Sequence, residues 1–194
     1  MVIALERALA GGADALQVGD WDLPGHHLLA LTLRLREVVR AHGARLIVGD
    51  RADVALAVQA DALHLLPSSL SPPVVRRLMA RLPGPGLLIG RAVSGVEEVV
   101  LAQLEEADYL VFSPVWPQPG FEVLRAAVAA VPRPVLAGSA TAAGGGDEGT
   151  IPVERVEALR EAGVVGLVLC REVLAEADPA AAAARYVAAL HRSD

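Results

Sequence analysis

The sequence predicts an α/β protein of the (β/α)₈ TIM-barrel type, and three observations carry that prediction. Short apolar runs alternate with longer segments of helical periodicity along the chain. The short runs are apolar at nearly every position, which is typical of parallel strands covered by helices. The same strand–helix unit recurs at similar spacing. An open doubly wound sheet is the alternative, and the absence of a G-x-G-x-x-G motif after the first strand weakens it.

Seven strands and eight helices are expected, each from its own pattern of apolar residues. The strands lie at 15–18, 45–48, 62–65, 87–90, 109–112, 134–137 and 165–170. The helices lie at 2–10, 24–42, 51–59, 71–81, 95–106, 121–130, 152–162 and 179–191. Because the first element is a helix, the barrel either lacks its first strand or forms it from residues 2–5. Loss of the strand is the favoured interpretation.

The helix-to-strand connections repeat one pattern, in which the helix ends, a small or acidic turn follows, and a buried strand begins. Gly43 and Gly163 stand just past helix ends, where a positive φ is commonly needed. The segments that carry the pattern are AGGADALQV, VQADALHL, LEEADYLVF and EAGVVGLVL.

Length and composition fit one domain spanning residues 1–194, with hydrophobic residues at 54%. All 17 basic residues are Arg, which excludes mechanisms that require a lysine. A net charge of −6 argues against nucleic acid as a partner, and no apolar run suits a membrane span. The single cysteine, Cys170, is expected to be buried in a strand and fits a reducing cytoplasm.

Candidate functional residues follow the strands, since barrel enzymes place their chemistry on those loops. Asp50 and Arg51 follow the second strand. They are either a catalytic pair in which Asp50 also binds a metal, or Asp50 caps the next helix and Arg51 pairs with a neighbour. Arg91 and Arg171 either contact an anion or pair with a rim carboxylate. His64 is expected to be a core histidine with its hydrogen bonds satisfied.

The last two strands are the usual place for phosphate in a barrel. Gly138 and Ser139 open the segment GSATAAGGGDEGT (138–150) there. Its glycine-rich amides either form an anion nest or belong to a flexible loop, and flexibility is the favoured interpretation.

Three stretches in order carry a family resemblance: LIVGDRADVALAVQADALHL (46–65), ADYLVFSPVWP (107–117) and IPVERVEALREAGVVGLVL (151–169). With them the chain resembles the thiamine phosphate synthase/TenI family of (β/α)₈ barrels over about residues 4–187. The resemblance implies a synthase that joins a hydroxymethylpyrimidine pyrophosphate to a thiazole phosphate with Mg²⁺ and releases pyrophosphate.

Most of the residues that this chemistry would use are replaced. Of the family's Q-x-R-x-K, Gln17 stays as a substrate contact, whereas Gly19 and Trp21 replace the Arg and the Lys. Asp50 keeps one metal carboxylate, and Ser69 replaces the other. The histidine of the TenI-type tautomerase corresponds to Pro114. The further replacements are Pro67 and Ser68 in Q-E-D, Ala92–Gly95 for S-T-H-T, Pro117–Gly120 for the Lys loop, and Arg171 for a phosphate-contacting Ser.

The expected function is therefore that of a thiamine phosphate synthase/TenI-like protein with weak or absent synthase activity. One carboxylate makes a poor cage for Mg²⁺. The alternatives are a non-catalytic ligand-binding or regulatory paralogue and a phosphate-binding barrel enzyme with another substrate. The expected ligand is thiazole phosphate or thiamine phosphate, held by Gln17, Arg91, Gly138, Ser139 and Arg171. A homodimer is expected because an exposed sheet edge invites pairing.

Overall fold

Seven parallel strands form one curled sheet, in which each strand pairs with the strands before and after it in sequence. The computed structural model describes residues 2–19, 23–81, 86–116, 120–139 and 149–191. All seven predicted strands are confirmed. They are β1 (Ala15–Val18), β2 (Arg45–Gly49), β3 (Ala62–Leu65), β4 (Leu88–Val93), β5 (Tyr109–Phe112), β6 (Val135–Gly138) and β7 (Gly166–Val168).

The helices also follow the prediction, with one addition. They are α1 (Val2–Ala10), α2 (Gly25–Ala41), α3 (Ala52–Ala57), α4 (Pro72–Met79), α5 (Val96–Leu104), α6 (Gly120–Ala130), α7 (Val156–Glu161), α8 (Arg171–Leu174) and α9 (Pro179–Leu190). A 3₁₀ turn at Val153–Arg155 precedes α7. The added helix is α8, which begins at Arg171. Strand β7 ends at Val168, so it is shorter than the strand predicted at 165–170. Cys170 consequently lies outside the strand and is half-buried rather than buried.

The acidic turn ties two of the connections to the neighbouring strand. Asp61 precedes β3, and its carboxylate accepts the N–H of Leu46 in β2 at 2.7 Å. Asp108 precedes β5, and its carboxylate accepts the N–H of Ile89 in β4 at 2.7 Å. Arg76 of α4 donates to the same Asp108 carboxylate at 2.8 Å. The pattern therefore satisfies a backbone donor near the start of the adjacent strand.

The two faces of the sheet have different roles. Ile89 and Val93 of β4 are buried in the core between the sheet and the helices. Successive residues of a strand alternate between faces, so Gly90 points to the opposite, inner face. The strand register places Gly49, His64, Gly90 and Tyr109 in one row across that inner face.

The outer strands β1 and β7 each have an edge that no strand within the described ranges covers. Helix α1 contacts α2, which follows β1, and also α8 and α9, which follow β7. Residues 2–5 belong to α1, so the alternative that they supply a first strand is wrong. In the same described ranges, no helix combines the length and the apolar character that crossing a bilayer requires.

Candidate functional site

Asp50 sits at the carboxyl end of β2, in a left-handed backbone conformation with φ at 56°. Its N–H donates to the His64 carbonyl at 2.9 Å, and its carboxylate accepts a hydrogen bond from the Ser69 hydroxyl. The Ser69 oxygen also accepts the N–H of Leu66 at 2.9 Å. The capping interpretation of Asp50 is wrong, because Arg51 holds the N-cap position of α3 and makes no side-chain cap bond. Asp50 instead fastens the loop that follows β3.

A cleft of about 370 Å³ lies beside this carboxylate. Its polar lining comes from Asp50, Asp53 and Ser69, and the rest is apolar. Leu65 and Val75, which belong to the core between sheet and helices, also line it. The cleft therefore opens on the helix side of the sheet, away from the inner face.

Arg51 is held by a neighbouring carboxylate. Its Nε and Nη2 donate to the two oxygens of Asp53 at 2.9 and 2.6 Å, a bidentate arrangement. The hydrogen bond lowers the pKa of Asp53 and raises that of Arg51. The pairing of Arg51 with a neighbour, expected with the capping interpretation, is thus seen, and it uses two of the five N–H donors of the guanidinium.

Arg91 donates hydrogen bonds to the loop that follows β3. It lies in β4 with the same alternation as Ile89 and Val93, so it points to the helix side of the sheet. Its guanidinium donates to the carbonyls of Pro67 and Leu70, at 3.2 and 3.3 Å. The rim-carboxylate pairing is not seen among the described residues; the partners are backbone oxygens.

The inner row holds a buried and a half-buried polar side chain that the sequence did not single out as a pair. His64 is 4% exposed, and its ring stacks toward Tyr109 with 6.0 Å between centroids. Gly90 stands between them in the row, and a Cβ there would lie 2.1 Å from the Tyr109 ring. Glycine at this position is therefore what gives the Tyr109 ring its place over β4.

Both side chains of the pair are neutral at ordinary pH. Burial, with a smaller contribution from the Arg91 charge, lowers the pKa of His64 to about 4, and Asp50 opposes that shift. Burial raises the pKa of Tyr109. The Nδ1 of His64 and the hydroxyl of Tyr109 have no hydrogen-bond partner within the described part of the chain. The prediction of a core histidine is right about burial and wrong about satisfied hydrogen bonds.

Hydrogen-bond donors converge where β6 and β7 end. Glu172, in α8, accepts the N–H of Ile151 at 2.9 Å through Oε1. Through Oε2 it accepts the N–H of Cys170 at 3.1 Å and the Ser139 hydroxyl at 3.4 Å. Ser139 and Ile151 are fully buried. Sequence reasoning found Ser139 here but missed Glu172, because the role of the carboxylate depends on three separated segments.

The other predicted ligand contacts lie at or near the carboxyl ends of β1, β6 and β7. Gln17 is half-buried in β1, on the inner face opposite to Val18. Gly138 ends β6, and a Cβ there would lie 2.9 Å from Cγ1 of Val111. Arg171 is exposed at the first position of α8. The predictions on Trp21, on 117–119 and on 140–148 of the glycine-rich segment fall outside the described residues.

The donor set around Asp50 gives a Mg²⁺ ion few protein ligands. Magnesium takes octahedral oxygen ligands and is usually held by one or two carboxylates together with substrate phosphates and waters. Asp50 offers one carboxylate, which is already bonded to Ser69. Across the described residues, no group of three or more His, Cys, Asp or Glu side chains is arranged to hold a metal.

Comparison with known proteins gives consistent matches. The family model for thiamine monophosphate synthase, TMP-TENI, matches residues 1–173. A thiamine-phosphate synthase of Mycobacterium sp. (strain KMS) is 40% identical over 204 aligned residues, covering 95% of this chain and 84% of that protein. A putative thiamine-phosphate synthase of Geobacter sulfurreducens is 35% identical, covering 92% of this chain and 82% of that protein.

Solved structures agree with the fold. The thiamine phosphate pyrophosphorylase of Pyrococcus furiosus superimposes with a TM-score of 0.84 at 30% identity, covering 97% of this chain and 88% of that one. A 3-hexulose-6-phosphate synthase superimposes with a TM-score of 0.66 at 19% identity, covering 97% of this chain and 94% of that one. The second likeness supports the barrel-like fold alone.

Proposed function

Because the chain belongs to the thiamine monophosphate synthase family, we propose that it acts in thiamine metabolism, binding a thiazole phosphate or thiamine phosphate and performing the synthase reaction slowly or not at all. The single observation that supports slow or absent synthase activity is the hydrogen bond from Ser69 to Asp50. In the resemblance, Ser69 stands where a second metal carboxylate would be.

The proposed catalytic pair, Asp50 and Arg51, is poorly equipped for pyrophosphate departure. Expulsion of pyrophosphate needs positive charge near the leaving group. Arg51 is bound by Asp53, and Arg91 is bound by two loop carbonyls. Gly19 brings no charge in place of the family's Arg. Each missing electrostatic group is worth about 3 kcal/mol, and two of them lower the rate by about 10⁴-fold.

The proposed ligand contacts are Gln17, Arg91, Gly138, Ser139 and Arg171, with the phosphate near the ends of β6 and β7. The buried Ile151 N–H and Ser139 hydroxyl at that place support an anion there, although both are paired with the Glu172 carboxylate in this structure. Arg91 has the weakest support of the five, since it points to the helix side of the sheet.

A coupling assay tests the catalytic part. The chain and a family synthase are given both substrates and Mg²⁺, and thiamine phosphate is measured over time. We expect a rate at least about 10³-fold below that of the synthase. The variant Gly19→Arg/Ser69→Asp should raise that rate, and Gly19→Arg/Ser68→Asp is the matched control. Turnover by the unmodified chain comparable to that of the synthase would overturn the proposal.

Thermal unfolding with each ligand tests the binding part and separates the alternatives. Stabilisation by thiazole phosphate or thiamine phosphate, lost in Arg171→Ala, supports the ligand. Stabilisation without turnover favours the non-catalytic or regulatory alternative. Stabilisation by inorganic phosphate, but by neither thiazole phosphate nor thiamine phosphate, favours a phosphate-binding barrel enzyme with another substrate. No stabilisation by any of them excludes the small-molecule proposals.

We also propose a homodimer formed through the uncovered sheet edge, since unpaired strand edges favour association. Sedimentation at several protein concentrations tests this. A monomer at every concentration contradicts it.

A further inference from the structure

We propose that the Glu172 carboxylate is an internal occupant of an anion site at the ends of β6 and β7, and that a phosphate group enters by displacing it. The proposal deepens the binding part of the proposed function, since it concerns the phosphate end of the same ligand. It adds a built-in competitor, which sets how tightly that site binds phosphate.

The donors surround the carboxylate as they would surround an anionic ligand. Both oxygens of Glu172 are used, Oε1 by the N–H of Ile151 and Oε2 by the N–H of Cys170 and the hydroxyl of Ser139. The donors come from three segments that meet only in the folded chain. Backbone N–H groups and hydroxyls converging in this way form the concave anion sites of proteins.

The donors are held independently of Glu172. The Tyr186 hydroxyl donates to the carbonyl of Ile151 at 2.7 Å, and the Ser113 hydroxyl donates to the carbonyl of Ser139 at 3.3 Å. The N–H of Ser139 donates to the carbonyl of Val168 at 3.1 Å. These bonds keep the two segments in place when the carboxylate leaves, so the site survives the loss of its occupant.

A phosphate monoester is the ligand class that fits this exchange. Ile151 and Ser139 are fully buried, and buried donors left unpaired are unfavourable, so another acceptor must replace the carboxylate when it leaves. A phosphate dianion offers three oxygens and a larger charge than a carboxylate. Two anions cannot share the donors, because like charges in contact repel strongly. Phosphate affinity therefore rises when the negative charge of Glu172 is removed.

The test is a calorimetric titration with inorganic phosphate at constant ionic strength, using wild type, Glu172→Ala and Glu172→Gln. Glu176→Ala is the matched control, because Glu176 is exposed and four residues away and its loss changes the net charge equally. We expect Glu172→Ala to bind phosphate at least about tenfold more tightly than wild type. Glu172→Gln keeps an acceptor oxygen without the charge and should fall between them. Glu176→Ala should match wild type.

Equal phosphate affinity in wild type and a folded Glu172 variant overturns the proposal and leaves the carboxylate as a structural tie. If Glu172→Ala does not fold, Glu172→Gln gives the answer, since it keeps the size of the side chain and one acceptor oxygen while removing the charge. Because the probe is inorganic phosphate, the result is separate from the proposed function. A gain of phosphate affinity without binding of thiazole phosphate or thiamine phosphate would retain the displacement and remove the proposed ligand.

Discussion

Replacement of His64 by Leu should make the free energy of unfolding fall less steeply as the pH drops from 6.5 to 4. His64 is buried, and its pKa is lowered from 6.5 to about 4, mainly by that burial. The charged groups that act on it are Arg91, which lowers its pKa further, and Asp50, which raises it. Between pH 6.5 and 4 the His64 imidazole therefore binds a proton in the unfolded chain but not in the folded protein.

The sign and size of the effect follow from proton linkage. A group with a lowered pKa in the folded protein contributes nothing unfavourable above pH 6.5, and stability falls as the pH drops from 6.5 toward 4. A shift of that size corresponds to about 3 kcal/mol at pH 4. His64→Leu removes the titration, and at pH 7 it also removes an Nδ1 with no partner among the described residues. The variant should then be at least as stable as wild type at pH 7.

Urea unfolding of wild type and His64→Leu at half-unit steps from pH 7 to 4 measures this directly. Carboxylates titrate in both proteins, so the quantity of interest is the difference between the two free energies of unfolding. We expect it to grow by about 3 kcal/mol in favour of the variant as the pH falls. His42→Leu, at an exposed imidazole, controls for the substitution itself. Parallel curves for wild type and His64→Leu would refute the reasoning.

Three further predictions concern packing and buried hydrogen bonds, all measured by urea unfolding. Gly90→Ala should destabilise the protein by about 2 kcal/mol, because its Cβ meets the Tyr109 ring, and adding Tyr109→Ala should recover part of the loss; additive effects would contradict this. Asp61→Ala should cost about 2 kcal/mol by orphaning the Leu46 N–H, whereas Asp61→Asn should cost less. Tyr186→Phe should cost about 1 kcal/mol through its lost bond to a buried carbonyl, and no change would exclude that bond.

The fold was predictable because its causes are local. Strands that are apolar at nearly every position must be covered by helices, and the positive φ values of Gly43 and Gly163 occur where the pattern placed helix ends. The acidic turn before β3 and β5 was visible as a repeat, although its bond to the neighbouring strand was not. Helix α8 was missed because four residues are too few to display a helical period.

The candidate site was predictable only in outline. Asp50 and Ser139 follow strands, so their position at the carboxyl ends came from the order of elements alone, whereas Arg91, predicted to follow a strand, lies inside β4 because that strand extends to Val93. The partners that decide their chemistry are distant in sequence: Asp50 binds Ser69, and Ser139 binds Glu172. The pairing of His64 with Tyr109 depends on strand register, which the apolar pattern does not specify.

The sequential order of the seven strands makes the sheet resemble an array of repeats, although α1 also joins it to α8 and α9 at the other end of the chain. Each strand bonds only to the units immediately before and after it along the chain. In such an array, cooperativity passes from neighbour to neighbour, and the end units open at lower free energy than the middle ones. Amide hydrogen exchange should consequently be slowest in β3 to β5 and fastest in β1 and β7. Unfolding would begin at the margins of the sheet and leave its centre as the most persistent structured unit.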